Sequence, residues 1–176
     1  GLSNAPSSTT SNREAAGKDT VELQLVADAK ILDGRFANNA WLQELPDPIS
    51  KLTWDNTAYI SKSDAQQRGL TTGDVIEIRR EDASNTVLSI PVMIMPGQAV
   101  GCITVQLGYG RTAAGRIGNG VGVNAYPFWT SNGNYSLNDC TIRKTSRTQQ
   151  LASTQMHHVV ASIADIALNQ RLGNKG

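Results

Sequence analysis

The sequence is poor in the residues that build metal clusters and disulfide frameworks. It has two cysteines in 176 residues, Cys102 and Cys140, and they lie outside any CxxC spacing. A metal site built on them is therefore not expected, and we expect two buried thiols. A disulfide between them would require an oxidising compartment, which the sequence does not establish.

Strong net charge and long apolar runs are also missing. The 16 Lys and Arg residues nearly balance the 15 Asp and Glu residues, which gives a net charge of +1. This balance gives no reason to expect a nucleic-acid partner or binding to an anionic membrane surface. No apolar run approaches the roughly 18 residues of a transmembrane helix, and the first residues do not have the pattern of a signal peptide.

Apolar side chains are almost absent from the opening segment, which begins GLSNAPSSTTSN. Such a segment buries too little surface to offset the entropy cost of ordering it. We interpret residues 1–19 as a tail or linker in a fragment of a longer chain, residues 20–158 as one domain, and residues 159–176 as a C-terminal helix or tail. The C-terminal helix is suggested by apolar residues near one helical face: Val159, Ile163, Ile166 and Leu168.

Alternating or continuous apolar residues predict five strands in the middle of the chain. In VELQLV, Val21, Leu23 and Leu25 alternate with polar residues, which is the period of a half-buried strand. The other predicted strands lie in TAYIS, TTGDVIEIRRED, TVLSIPVMIM and GCITVQL, with a polar turn at residues 83–85. Because Pro91 has no N–H, part of its strand is expected at a sheet edge or a bulge. The close spacing, without a repeating βαβ unit, favours a compact and mainly β barrel with short helices.

The first of two short helices is predicted in AWLQELPDP. It places Trp41, Leu42 and Leu45 toward one side, and Pro46 and Pro48 end it.

The second short helix is predicted at residues 65–68, in the segment SKSDAQQRGL. Ser61 or Ser63 is the expected N-cap, and Gly69 ends the helix in the left-handed conformation.

A glycine-rich segment, GYGRTAAGRIGNGVGVNAY, spans residues 108–126. A phosphate-binding loop, a close approach of the backbone to another part of the protein, and disorder are the three alternatives. The glycine spacing does not match a dinucleotide fingerprint, and no GK[ST] triplet is present. Disorder is the least favoured alternative because apolar anchors stand beside the glycines: Val121, Val123, Tyr126, Phe128 and Trp129.

Arg111 and Arg116 are the only charged residues from position 83 to position 138. Without a carboxylate nearby in sequence, they need partners elsewhere in the protein, water, or a bound anion. Glycine-rich backbone can offer several N–H groups to one anion, whereas packing against a neighbouring domain would explain the same residues. Both alternatives remain open at the level of the sequence.

Catalytic motifs are not evident. There is no GxSxG, HExxH or EF-hand pattern, so no catalytic or metal-binding residue is predicted. His157 and His158 would point about 100° apart on a helix and could not share one metal ion. The acidic pairs Asp74 with Glu77, and Glu81 with Asp82, are interpreted as solvated surface.

Several longer stretches resemble a known family. The run DGRFANNAWLQELPDPISKLTWDNTAYIS, followed by AQQRGLTTGDVIEI, is similar to the C-terminal dinucleotide-binding domain of molybdopterin oxidoreductase large subunits. This resemblance implies a double-psi β-barrel. The stretches NNAWLQELPDPISKLTWDN, GYGRTAAGRIGNGVGVNAY and TQMHH most resemble the large iron–sulfur/molybdopterin-type subunit of alternative complex III. The resemblance covers about residues 21–158.

The resemblance implies a role in a respiratory complex that oxidises quinol at the periplasmic face of the cytoplasmic membrane. The implied partners are the N-terminal domains of the same subunit, iron–sulfur and cytochrome c subunits, and an integral membrane quinol-binding subunit. The fragment itself would be non-catalytic. The alternatives are the capping domain of an active molybdenum reductase acting on a sulfur oxyanion or similar substrate, and a double-psi adaptor module without a redox role.

In cofactor-bearing relatives this domain covers one side of molybdopterin guanine dinucleotide. Carried over by motif, the residues implied to face that cofactor are Trp54, Asn56, Gly108, Arg111, Arg116, Asn124, Gln155 and His157. The ligands of molybdenum and of the iron–sulfur clusters belong to domains outside this sequence. Since the most similar branch is thought to have lost the molybdenum cofactor, the glycines could instead serve packing between domains.

Overall fold

Alternating apolar residues build the wall of a closed barrel in the computed structural model, which describes residues 20–80, 86–130, 133 and 135–155. Its strands are β1 (Thr20–Val26), β2 (Ala58–Ile60), β3 (Asp74–Arg80), β4 (Val87–Ile94), β5 (Cys102–Gln106) and β6 (Ser136–Thr148). The helices are α1 (Ala40–Glu44), α2 (Lys62–Arg68) and α3 (Gly115–Gly118), and a 3₁₀ turn spans Tyr126–Phe128. The prediction of a mainly β barrel with short helices is confirmed.

The strand order around the barrel is β1-β5-β2-β4-β3-β6, and β6 closes the sheet against β1. β1 runs parallel to β5, and β2 runs parallel to β4, whereas the other pairs are antiparallel. Apolar side chains from every strand fill the interior, among them Leu23, Ile60, Ile78, Ile90, Ile103 and Ile142. Burial of this surface is the main force that closes the barrel.

The strand β6 was not predicted from the sequence. Its buried residues are Leu137, Cys140 and Ile142, which are spaced by three and then by two positions. The uneven spacing arises because the register against β1 shifts between Val21 and Leu23. A bulge of this kind removes the simple alternation by which a strand is recognised.

The helix α2 follows its prediction closely. The Ser61 side chain accepts a hydrogen bond from Asp64 N, and Gly69 ends the helix with φ of 60°.

The prediction that Trp41, Leu42 and Leu45 share one side of α1 is wrong. Trp41 is 84% exposed and Leu45 is 51% exposed, whereas Gln43 is buried at 1%. The Gln43 amide donates to Ala37 O at 2.9 Å, and Gln43 O accepts from Trp54 N at 3.1 Å. These bonds hold Gln43 against the protein, so Trp41 and Leu45 turn outward, whereas Leu42 packs on the cluster of Ile31, Ala37 and Tyr109.

The expectation that Pro91 marks an edge or a bulge is also wrong. Pro91 is buried within β4, which lies between β2 and β3, and it pairs with Val75 in a continuous register. Pairing of β4 with β2 begins one residue later, at Val92. The ladder with β2 therefore does not need an N–H at position 91.

Asp74 is not the solvated carboxylate that its neighbourhood in the sequence suggests. It is 5% exposed and accepts hydrogen bonds from Thr71 N at 2.8 Å and Lys144 Nζ at 2.7 Å. The Lys144 hydrogen bond is the largest cause of a lowered pKa at Asp74. Glu81 and Asp82 lie outside the described residues.

The parallel pair of β1 and β5 decides where the loops meet. Both strands end at the same end of the barrel, and Leu107 N donates to Val26 O at 2.8 Å just beyond them. The segment after β1, residues 27–49, therefore emerges beside the glycine-rich segment that follows β5.

Cys102 and Cys140 are both buried, as expected, and are not joined in a disulfide. In the part of the chain that the structure describes, no helix has the length and hydropathy needed to cross a membrane.

Candidate functional site

The glycine-rich ribbon, defined here as residues 108–124, packs closely against the chain's own backbone. A Cβ on Gly108 would lie 2.7 Å from Gly34 N, and a Cβ on Gly110 would lie 2.1 Å from Asn124 N. Real Cβ atoms do not approach backbone so closely, and Gly110 also has a φ of +66° that favours glycine. The close approach of neighbouring backbone therefore explains why positions 108 and 110 are glycine.

The Asn56 side chain links the ribbon to the barrel through hydrogen bonds. Its side chain is fully buried, and its Oδ1 accepts from Val123 N at 2.8 Å. Its Nδ2 donates to Gln106 O at 2.8 Å and to Val123 O at 3.0 Å. The Asn56 amide is thus engaged by the protein itself and acts on the site by holding the ribbon in position.

A buried polar network lies beneath the start of the ribbon and was not predicted from the sequence. Tyr109 OH donates to Asp28 Oδ2 at 3.0 Å, and Asp28 Oδ1 accepts from Lys30 N at 2.7 Å and from Ile31 N at 2.9 Å. Burial lowers the pKa of Lys30, against the opposing effect of Asp28 and Asp47. Burial likewise raises the pKa of Tyr109. The network joins residues far apart in sequence, so no local pattern announces it.

The outer side of the ribbon forms one wall of an open cleft of about 450 Å³. Its lining residues are Asp33, Arg111, Thr112, Ala113, Asn124 and Tyr126. Tyr126 OH donates to Asp33 O at 2.5 Å, which ties the two walls of the cleft together. Burial raises the pKa of Tyr126, and the negative charge of Asp33 adds to that effect.

The charges of the cleft are distributed unequally. Asp33 binds Arg35 through two hydrogen bonds, from Nε at 3.0 Å and from Nη2 at 2.9 Å. These bonds lower the pKa of Asp33 to about 2. In contrast, Arg111 forms no ion pair with any carboxylate among the described residues. The cleft therefore contains one carboxylate that is paired with Arg35 and one guanidinium that has no carboxylate partner among the described residues.

Two of the residues implied by the resemblance, Arg111 and Asn124, are brought together in this cleft. Asn124 Oδ1 accepts from Tyr126 N at 3.0 Å. Gly108 lies beneath the cleft against Gly34, and Asn56 is below the ribbon.

The remaining implied residues lie elsewhere. Arg116 is exposed on α3. Trp54 has a positive φ of 64° and adjoins Thr53, whose N–H bonds Ala152 O at 2.9 Å. Gln155 is exposed at the end of the same C-terminal stretch, and His157 lies outside the described residues.

The cleft presents several groups that can bind a ligand. The cleft offers a guanidinium, an amide and a phenol, and the backbone N–H groups of Thr112 and Ala113 have no acceptor among the described residues. Within those same ranges, no three His, Cys, Asp or Glu residues are grouped so that they could hold a metal ion. Chemically, this set of donors suits an anion such as a phosphate.

Comparison with known proteins adds no identification: no protein-family model matches the chain, and no curated protein matches it significantly.

Proposed function

We propose that this chain is the C-terminal cofactor-capping domain of a respiratory oxidoreductase large subunit of the molybdopterin type. In this proposal the barrel is of the double-psi type. The closed six-stranded sheet and its two parallel pairs, β1 with β5 and β2 with β4, support that assignment. The resemblance of the ribbon and of NNAWLQELPDPISKLTWDN to alternative complex III supports the choice of branch.

The observation that carries the proposal is the charge of the cleft. Asp33 is held by Arg35, so its carboxylate does not neutralise Arg111 on the opposite wall. Within the described part of the chain, the Arg111 guanidinium has no ion pair and the neighbouring N–H groups have no acceptor, which favours the binding of an anion in this open cleft.

A phosphate of molybdopterin guanine dinucleotide fits these residues in charge and in donor chemistry. Arg111 and the amide of Asn124 would hold it, together with the N–H groups of Thr112 and Ala113. The cofactor, when bound, supplies the redox chemistry in this superfamily. The contribution of this chain is to bind and orient the phosphate and to cover one side of the cofactor from water. In a branch of the superfamily that has lost the cofactor, the ribbon would instead close the empty cofactor cleft of the subunit.

Electron transfer belongs to the whole assembly in this proposal. The chain would dock with the N-terminal domains of its own subunit. The complex would include iron–sulfur, cytochrome c and quinol-binding membrane subunits at the periplasmic face of the membrane. No step of the reaction is assigned to a side chain of this domain.

Titration with guanosine diphosphate tests the cleft. We expect saturable shifts of the amide resonances at residues 111–113 and 124 in the complete 176-residue chain. Arg111→Gln should weaken the apparent affinity by about 10- to 100-fold, because a hydrogen bond to a charged group is worth roughly 1.5–3 kcal/mol. The matched control, Arg79→Gln on β3, should leave the affinity unchanged. The absence of any shift at about millimolar nucleotide, where the weakest specific binding is measurable, would argue for packing alone.

Metal analysis of the full-length subunit, purified from its host, separates the two branches of the superfamily. Stoichiometric molybdenum would favour an active reductase over the respiratory branch proposed here. Its absence, together with retained quinol oxidation by the complex, is the expected result.

A further inference from the structure

The Arg111 side chain lies against the backbone of Gly34, in the segment that follows β1. A Cβ added at Gly34 would lie 2.7 Å from Arg111 Nη1 and 2.8 Å from Arg111 Cδ. Real Cβ atoms do not come this close to other heavy atoms, so the arginine occupies the space that a side chain at position 34 would need. The contact joins the segment after β1 to the ribbon, and the sequence alone did not predict it.

The backbone around Gly34 is fixed by the rest of the fold. Gly34 N donates to Ile31 O at 2.9 Å, and Gly34 O accepts from Ala37 N at 3.0 Å. The preceding carbonyl, Asp33 O, accepts from Tyr126 OH at 2.5 Å. These three bonds hold the peptide units on both sides of Gly34, so the guanidinium lies on a fixed backbone surface.

No carboxylate orients Arg111 in the part of the chain that the structure describes. Asp33, which lines the same cleft, is paired with Arg35 instead. Arg111 is nevertheless only partly exposed, whereas Arg116 on the same ribbon is exposed. The contact with Gly34 covers one side of the Arg111 side chain and so contributes to this difference.

We propose that Gly34 is a positioning residue, which holds Arg111 ready for an anion because it has no side chain of its own. An arginine that is free in solvent loses rotamer freedom when it binds a ligand. An arginine already packed on fixed backbone loses less, and its complex with the anion is more stable by that difference. Unlike a carboxylate, the backbone orients the guanidinium without neutralising its charge. The role in anion binding rests on the proposed function, whereas the restraint of Arg111 by Gly34 does not.

Relaxation of the Arg111 Nε resonance in the complete 176-residue chain tests the restraint without a ligand. We expect a higher order parameter for Nε of Arg111 than for Nε of Arg116, which is exposed. Gly34→Ala should lower the Arg111 value toward that of Arg116. Gly97→Ala is the matched control and should not change it. Gly97 has a similar φ, +89° against +94°, but among the described residues nothing lies within 4 Å of a Cβ added there.

Titration with guanosine diphosphate tests the effect on binding. Gly34→Ala should weaken the apparent affinity by about 2- to 10-fold, which is the range expected when one long side chain is no longer held in place before binding. In the Arg111→Gln background the same substitution should cause no further loss, and Gly97→Ala should leave the affinity unchanged. The amides of β5 report whether each variant keeps its barrel.

Equal order parameters for Arg111 and Arg116 in the unsubstituted chain would overturn the proposal, even if Gly34→Ala did not fold. So would an equal loss of affinity from Gly34→Ala with and without the Arg111 guanidinium. A restraint that is lost in Gly34→Ala, in a chain that binds no guanosine diphosphate, would count against the proposed function and would still support the positioning of Arg111 by Gly34.

Discussion

The Asn56 side-chain amide forms two hydrogen bonds with the backbone of Val123, which lies 67 positions away in sequence. One bond is to the N–H and the other is to the carbonyl oxygen of that residue. Oδ1 of Asn56 accepts from Val123 N at 2.8 Å, and Nδ2 donates to Val123 O at 3.0 Å. With the third bond to Gln106 O, the buried amide connects the ribbon to the end of β5. The position of the cleft wall therefore depends on a residue that does not line the cleft.

Asn56→Ala should destabilise the protein by about 3 kcal/mol, since it leaves several buried backbone groups without partners. Chemical denaturation of the complete chain measures this change. Asn138→Ala, on the exposed side of β6, is the control and should alter the free energy of unfolding by less than about 0.5 kcal/mol. Equal effects of the two substitutions would contradict the role of Asn56.

Gly110 and Gly120 form a matched pair for the close packing of the ribbon. Both have a positive φ, of 66° and 71°, but nothing lies within 4 Å of a Cβ added at Gly120. Gly120→Ala should therefore cost only the left-handed conformation, about 1–2 kcal/mol. Gly110→Ala adds a clash with Asn124 N and should cost about 1–3 kcal/mol more. Denaturation of both variants checks the difference, and a smaller loss at Gly110 would exclude the packing explanation.

Asp33 should titrate with a pKa of about 2, because Arg35 stabilises its charged form. In Arg35→Gln the pKa should rise toward its ordinary value of 3.8, whereas Arg116→Gln should not change it. Since the pKa is lowered in the folded state, this carboxylate contributes stability above pH 3.8 that is lost as the pH falls toward 2. Carboxyl carbon resonances followed against pH provide the measurement, and an ordinary pKa in the unsubstituted protein would be inconsistent with the ion pair.

Burial raises the pKa of Tyr59 to about 12 from 10.0, and Gln106 Nε2 donates to its hydroxyl at 2.7 Å. The folded protein then keeps a proton that the unfolded chain releases above pH 10, so stability should fall as the pH rises from 10 to 12. In Tyr59→Phe this fall should be shallower. Unfolding experiments across that range measure the slope, and phenolate absorbance follows the ionisation. Identical slopes in both proteins would show that Tyr59 ionises equally in the folded and unfolded states.

Prediction from the sequence succeeded where one local pattern decides the structure. The alternation of Val21, Leu23 and Leu25 places all three side chains on one face of β1, and this face is buried in the barrel. Ser61 and Gly69 likewise define α2 through contacts within a few residues of one another. The glycines and arginines of residues 108–126 marked the ribbon, because their composition is unusual without reference to the fold.

The failures share a different cause. Trp41 and Leu45 of α1 are exposed while Gln43 is buried, because Gln43 bonds Ala37 and Trp54 in the folded chain. The bulged register against β1 concealed β6. Asp74 looks solvated in the sequence, but it is buried and pairs with Lys144, which lies 70 positions away on β6.

The order of apolar and polar residues along the chain was sufficient to determine a mainly β fold and to locate the unusual ribbon, because strand period, helix caps and glycine content are local properties. Only the tertiary structure decided that Asp33 pairs with Arg35 while Arg111 has no ion pair among the residues that the structure describes, and that Asn56 lies beneath the ribbon and not in the cleft. Those outcomes depend on which strands run parallel, since the shared end of β1 and β5 brings two distant loops together. Distances between residues far apart in sequence are set by that topology, and no short stretch of the chain encodes them.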